Sequence, residues 1–405
     1  MSDSAVRGWC PGARRPMRSG DGLILRLRIT GGRLVPEAAR VIADLAAICG
    51  NGEIDLGRRG GLQLRGLRDD GLAVAISELA VLGLVDADAG AEAVRNVVAS
   101  PLSDRDDTAA GDAFALALAL EAALVADQSL RALPPKFGFS VDDGGRFGLA
   151  EVPADVRLRQ TPDAVLISLG GDAGAVTVPA EEAVSAGLRL ARAFLILAPR
   201  LDPPPRRMAA LVARLGAAAV FAAADLASVE IPPPRLAAPP LIGAFPSHIG
   251  VGLPFGRLTA DQLHLLTDLA AADLRLTPLR AVLLPGVSAT ILPRLAEAGF
   301  IIRPDDPLRF VAACPGAPAC ASASIETRGL AGRLAALNPA AGDVWLHVSG
   351  CDKGCASSAA HAVTLVGRDG ALDLVLEGRP RDAPRLAGLT PEAVEAVLRS
   401  GMLIR

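Results

Sequence analysis

EIDLGRRGGLQLRGL, residues 53–67, and DLRLTPLRAVLLPGV, residues 273–287, lie against each other without a gap. In both, apolar and polar residues alternate, and a turn divides the segment into two short strands. A helical stretch precedes each segment, residues 36–49 in the first case and 259–272 in the second. Glycine-rich openings, GDGLILRLR and GVGLPFGRL, stand before those helices. Ordered matches of this kind, about 220 residues apart, mark an internal repeat of one β-α-β piece.

The repeat extends outward. RNVVASP, from Arg95 to Pro101, matches RFVAACP, from Arg309 to Pro315, and DAVLISLGG (163–171) matches HAVTLVGRDG (361–370) more loosely. The order is A–B–A′–B′: short A and A′ pieces alternate with longer α/β domains B and B′. The expected boundaries are 1–85, 86–230, 231–308 and 309–405. Proline-rich LDPPPRRM (201–208) and IPPPRLAAPPLIGAFP (231–246) read as extended linkers where B ends and A′ begins. Helices are expected over 109–127, 181–197 and 390–398, the last opened by an N-cap threonine and a first-turn proline, Thr390-Pro391. VWLHV (344–348) and ALDLVL (371–376) read as strands.

Composition narrows the function. The chain of 405 residues has no Tyr and two Trp, and its formal charge is −3. Tyr chemistry is excluded, and nothing suggests a nucleic-acid surface, whether a basic field or a base-stacking platform. No apolar run reaches membrane-spanning length, and the polar N-terminus lacks a signal-peptide core; a cytoplasmic protein is expected. There, cysteines serve as thiols or metal ligands.

CPGAPAC and SGCDKGC place Cys314 and Cys320 before Cys351 and Cys355. Four thiolates suit a 4Fe–4S cluster, one for each iron. Gly316, Gly350 and Gly354 permit tight turns that aim backbone N–H groups at the sulfides of a cluster and tune its potential. Zinc and buried free thiols are the competing readings, but the five-residue gap favours the larger cluster. Cys49 closes a helix and reads as core, and Cys10 as structural.

These cysteines, in the last quarter of an A–B–A′–B′ chain, resemble the siroheme sulfite and nitrite reductase superfamily. Arg59 stands four residues before Gln63, Arg95-Asn96-Val97 matches its R-N-V segment, and Lys136 in LPPKFGFSVDDGG matches the first lysine of its L-P-x-K-F-K stretch. The second lysine is absent, replaced by Gly138. Its G-C-P-N-x-C is here Gly350-Cys351-Asp352-Lys353-Gly354-Cys355. SGCDKGCA preceded by His347, RLTPLR, and GDGLILRLR after CPGARRPM resemble the cobalamin-biosynthesis branch, the precorrin-3B synthases. The resemblance spans nearly the whole chain. It implies an α/β (α+β) sulfite/nitrite reductase-like fold, in which ferredoxin-like halves and larger α/β domains repeat about a pseudo-twofold axis. It also implies an O2-dependent monooxygenase that hydroxylates a meso carbon of precorrin-3A with γ-lactone formation. A 4Fe–4S cluster and a mononuclear non-haem iron would serve it. Electrons would come ultimately from NADH through a reductase or ferredoxin.

A tetrapyrrole with eight carboxylate arms needs cations. Arg59, Arg65, Arg95 and Lys136 are the substrate-binding candidates, with Lys136 and His347 also catalytic candidates. Arg26 and Arg28 alternate with Leu25, Leu27 and Ile29, giving one basic strand face, either wetted or substrate-binding. The iron ligands stay open. Of the four histidines, His347 and His361 flank the second cysteine pair, His264 sits inside an amphipathic helix and His248 is unassigned. The run Asp104-Arg105-Asp106-Asp107 offers a carboxylate or caps the helix near Ala109. A siroheme reductase and a non-catalytic metal-stabilised protein are the rival functions.

Overall fold

A computed structural model describes residues 11–171, 174–226, 241–337 and 344–400. Cys10 and residues 227–240, which hold the expected 230/231 boundary and most of the second proline-rich stretch, lie outside them. The described residues form an α/β structure with four five-stranded sheets.

Two of the sheets are built by the repeat. In the first, Glu53–Leu56 pairs antiparallel with Leu62–Leu67, Asp55 opposite Gln63 and Leu56 opposite Leu62. In the second, Leu274–Leu276 pairs with Ala281–Pro285, Arg275 opposite Leu283 and Leu276 opposite Val282. The same offset relates every one of these partners, so the repeat holds at the level of strand register. Each half also lends a strand to the other. Arg257–Thr259 pairs with Glu53–Leu56 and completes the first sheet, while Arg33–Leu34 pairs with Leu274–Leu276 and completes the second. Helices Pro36–Cys49 and Ala260–Leu269 follow the exchanged strands and pack on each other. The first turns Ala38, Ala39, Ile42, Ala43, Leu45, Ala46 and Cys49 inward at helical spacing. The second starts at a capping box made by Thr259 and Gln262. Residues of both halves share one core.

The other two sheets repeat as well. Val97–Ala99, Phe139–Asp142 and Val156–Gln160 run parallel and are continued antiparallel by Val165–Leu169 and Ala175–Val178. Val311–Ala313, Leu346–Ser349, His361–Arg368, Ala371–Gly378 and Leu386–Leu389 have the same sequence of directions. RNVVASP and RFVAACP thus hold equivalent strands. The looser match does not: residues 163–171 carry a fourth strand and 361–370 a third. Alternating hydrophobicity is common to both, and only topology separates them.

Three further expectations change. The helix of residues 109–127 starts at Ala113, capped by the Asp112 carboxylate, which accepts the N–H groups of Phe114 and Ala115. The acidic run before it serves elsewhere. Asp104 accepts from Arg275 at 3.0 and 2.9 Å, while Asp106 accepts the N–H groups of Thr108, Arg146 and Phe147. LDPPPRRM is an internal loop, because Met208–Leu215 and Ala217–Ala223 follow it into the same core.

Candidate functional site

The first sheet has one face on the shared core and one face open. Along Gly22–Leu27, Leu23, Leu25 and Leu27 enter the core while Ile24 and Arg26, with Arg28 beyond the strand end, line a cavity. On the neighbouring strands Asp55, Gln63 and Arg65 line it too. The equivalent face of the second sheet is closed: Leu283, the mate of Gln63, packs with Leu102, Phe147, Leu241 and Ile301, and Arg275, the mate of Asp55, is buried against Asp104. One of two pseudo-equivalent positions has therefore become a cavity of about 590 Å³, a size typical of small-molecule sites.

All four expected cysteines line one end of it. Cys314 ends strand Val311–Ala313 and Cys351 follows Leu346–Ser349, adjacent parallel strands. The Gly350 N–H donates to Cys314 Sγ at 3.2 Å. The loop to Cys320 closes through its own N–H to the Gly316 carbonyl, 2.7 Å, with Gly316 at φ 70°. A Cβ there would lie 2.5 Å from Thr327 Oγ1, so the turn requires glycine. Burial first, and then the neighbouring cysteines, push the Cys351 and Cys355 thiols up, as expected where thiolates crowd without a cation. Among the described residues no three His, Cys, Asp or Glu side chains converge on a single metal ion. Four thiols at one cavity end, with no such convergence on one point, are the donor set of a multi-iron cluster. The same observation leaves the two-His, one-carboxylate mononuclear iron without a ligand set among the described residues.

The expected cations separate into two groups. Lys136 is exposed and lines the cavity, and its ammonium makes no hydrogen bond or ion pair among the described residues. Its loop is gripped on three successive carbonyls. Asn96 Nδ2 donates to Pro135 and Phe137 at 3.0 Å each, and Arg59 donates to Lys136 itself at 2.5 Å. Arg59 lies against Gly138, where a Cβ would stand 3.7 Å from its Cζ. The space of the missing second lysine is thus partly filled by a guanidinium from another element. Asp155, buried beside it, accepts the Gly138 and Met208 N–H groups and holds Arg207 at 3.0 Å on the cavity wall.

Arg65 and Arg95 also line the cavity, but expected substrate cations with free charge they are not. Arg65, 3% exposed, pairs with Asp21 at 3.0 Å and Asp55 at 3.3 Å and donates to the Ala319 carbonyl at 3.0 Å. Ser19 donates to the same carbonyl at 2.7 Å, so the residue before Cys320 is fastened to the first sheet twice. Arg95 pairs with Asp86 at 2.8 Å and Glu121 at 2.9 Å. Burial works against the Arg95 charge, and these carboxylates more than offset it. Both arginines are neutralised from within the protein, by carboxylates of other elements.

His347 does not line the cavity. It is fully buried on strand Leu346–Ser349, 5.5 Å edge-on from His361, and neither ring nitrogen has a partner. Burial, then His361 and Arg280, lower it to about 4, which keeps it neutral. The catalytic expectation for His347 finds no support in the cavity lining, since its ring is fully buried and neutral. His361 is held by the Val344 carbonyl and Ser357 Oγ, at 2.8 and 2.7 Å. His264 pairs with Asp44 across the helix pair, and His248 stacks on Phe245.

Sequence reasoning passed over Arg58 and Arg280, which face the cavity. Arg280 has φ 58° where its repeat mate is Gly60 at φ 70°, and Phe255, another lining residue, has φ 58° where its mate is Gly31 at φ 59°. Left-handed backbone costs a bulky residue roughly 1–2 kcal/mol. Gly60 aligning with an arginine was the available signal.

The sequence profile of the nitrite/sulfite reductase ferredoxin-like half domain matches residues 15–82. A solved structure, the NirA protein of Mycobacterium tuberculosis, superposes with a TM-score of 0.71, covering 95% of this chain and 81% of its own at 16% identity, which establishes a shared fold. The ferredoxin–nitrite reductase of Synechococcus elongatus is 27% identical across 87% of this chain and 77% of its own. The precorrin-3B synthase of a Sinorhizobium species is 32% identical over 419 aligned residues, 99% of this chain and 90% of its own. An end-to-end match at that identity, on a sulfite/nitrite reductase fold, means that this chain belongs to the precorrin-3B synthase family.

Proposed function

We propose that the protein is an O2-dependent monooxygenase that converts precorrin-3A to precorrin-3B. The observation that carries this reading is a single cavity with four cysteines at one end and largely cationic walls, in which the second reductase lysine is Gly138. Hydroxylation takes one oxygen of O2 into a C–H bond and reduces the other to water, using two electrons and two protons. Cys314, Cys320, Cys351 and Cys355 would hold a 4Fe–4S cluster, which supplies one-electron transfer when bound. The electrons would come from NADH by way of a reductase or ferredoxin.

The cavity residues bind and orient. The side chains of Lys136 and Arg58, without partners among the described residues, and Arg26, held among them by Gln63 Oε1 at 3.3 Å, offer charge to carboxylate arms. Arg59 and Asn96 fix the Lys136 loop, so that its ammonium meets the ligand without reorganisation. A six-electron reduction of a small oxyanion favours dense positive charge and ready protons. At Gly138 the second lysine's ammonium is missing, and the Arg59 guanidinium that lies against the glycine is tied to the Lys136 carbonyl. No step is assigned to a second iron. The reading takes in no nucleic acid and no membrane, and no helix among the described residues is long and apolar enough to cross one.

Turnover under 18O-labelled O2 tests the proposal. Label from O2 is expected in the hydroxyl group of the product, with no reduction of sulfite or nitrite. Label from water, or sulfite reduction with siroheme bound, would favour the reductase reading.

A further inference from the structure

The turn from Thr277 to Ala281 is unusual in what it holds in place. The Thr277 hydroxyl donates to the Ala281 carbonyl at 2.9 Å and accepts from the Leu279 and Ala281 N–H groups. The turn thereby fixes Arg280 in the left-handed region that its mate occupies as glycine. The Arg280 stem crosses Gly256, where a Cβ would lie 2.9 Å from its Cδ. Its guanidinium faces the cavity, and its polar contact is a long one, 3.4 Å to the carbonyl of Ala356, next to Cys355. No carboxylate pairs with it among the described residues. Asp55, the nearest acidic influence, is committed to Arg65 and Arg328. Arg58, across the cavity wall, is a second guanidinium without a partner there.

Two cations facing one space, one of them on strained backbone and neither neutralised, are arranged for an anion that arrives from outside. Carboxylates inside the protein silence Arg65 and Arg95; nothing inside silences this pair. We infer that Arg280 and Arg58 form a carboxylate-binding subsite beside the cysteine loops, taking one acidic arm of the tetrapyrrole and setting which edge of the macrocycle faces the cluster. Burial, then repulsion from Arg58, lower the Arg280 proton affinity, as a missing counter-ion would. The inference rests on the tetrapyrrole reading above.

Uroporphyrin, a stable octacarboxylate tetrapyrrole, is the probe, titrated by fluorescence into protein with its iron and sulfide measured. Arg280→Gly relieves the backbone strain, so lost folding cannot imitate lost binding, and Arg280→Lys keeps the charge. Arg280→Gly and Arg280→Gln are expected to weaken binding about ten- to a hundredfold at unchanged iron content, and Arg280→Lys less. If the two arginines share one carboxylate, adding Arg58→Gln to Arg280→Gln should cost less than the product of the separate losses. Wild-type affinity in Arg280→Gly overturns the subsite and leaves the tetrapyrrole reading standing. Failure of the unaltered protein to bind uroporphyrin overturns that reading, and the subsite with it.

Discussion

At the scale of single residues, a cavity-lining charge is defined by what already neutralises it. Arg65 and Lys136 line the same cavity, yet one is spent on Asp21, Asp55 and the Ala319 carbonyl and the other is free. Arg65→Gln should therefore act on the cluster end. Removing one member of a buried ion pair costs about 3 kcal/mol, and iron release to a chelator should accelerate. Lys136→Gln should instead weaken uroporphyrin binding about tenfold with stability intact. Titration and chelation of both variants check this, and matching phenotypes would erase the distinction. His248 gives a second, separate expectation. Burial lowers its imidazole to about 4, whereas the unfolded chain takes up the proton near 6.5. Stability is thus fully present above about pH 6.5 and is lost as pH falls toward 4, by about 3 kcal/mol. Urea unfolding at pH 7 and 4.5 should show that loss, and His248→Phe, which keeps a ring against Phe245, should show much less of it. Equal acid sensitivity in the two proteins would clear His248 of the role.

At the scale of elements, the sequence was most legible where strand chemistry and strand register repeat together. Residues 53–67 and 273–287 align because both alternate, and both fold with the same partners opposite one another. Residues 163–171 and 361–370 alternate equally well but occupy different places, since alternation records a buried face and says nothing about neighbours. The cysteines were legible because four thiolates at those spacings have few uses. The fates of Arg65 and Arg95 were not, since the deciding carboxylates come from other elements. The cysteine loops also have a counterpart. Gly350 N–H meets Cys314 Sγ at 3.2 Å, and at the matching strand ends of the first α/β domain Asp143 N–H meets Ser100 Oγ at 3.1 Å. The two α/β domains therefore share one loop frame, and the cysteines stand on one copy of it. Cys351→Ala should abolish the cluster's absorbance and paramagnetic signal, while Cys49→Ala, a change inside the helical core, should leave iron and sulfide unchanged. Full iron content in the Cys351 variant would remove it from the ligand set.

At the scale of the molecule, the exchanged strands tie the two halves into one cooperative body. Arg257–Thr259 and Arg33–Leu34 each close a sheet that belongs mainly to the other half, and the core behind them is shared. Cleavage at a protease site engineered between Leu226 and Leu241 should leave both pieces in one particle on native gel filtration, separating only in denaturant. Pieces that drift apart without denaturant would contradict the shared core. The exchange also carries a history. Two separate copies of a half-length chain, trading an edge strand across a twofold axis, would make the same pair of sheets as a swapped homodimer. Fusing the copies end to end keeps the swap and frees each half to diverge. The second half closed its sheet face with Leu283 and carries the four thiols in its α/β domain, while the first kept the open face. A duplicated half that is free to diverge lets a symmetric frame become lopsided, and a ligand with unlike edges is held in one orientation only by a host without that symmetry.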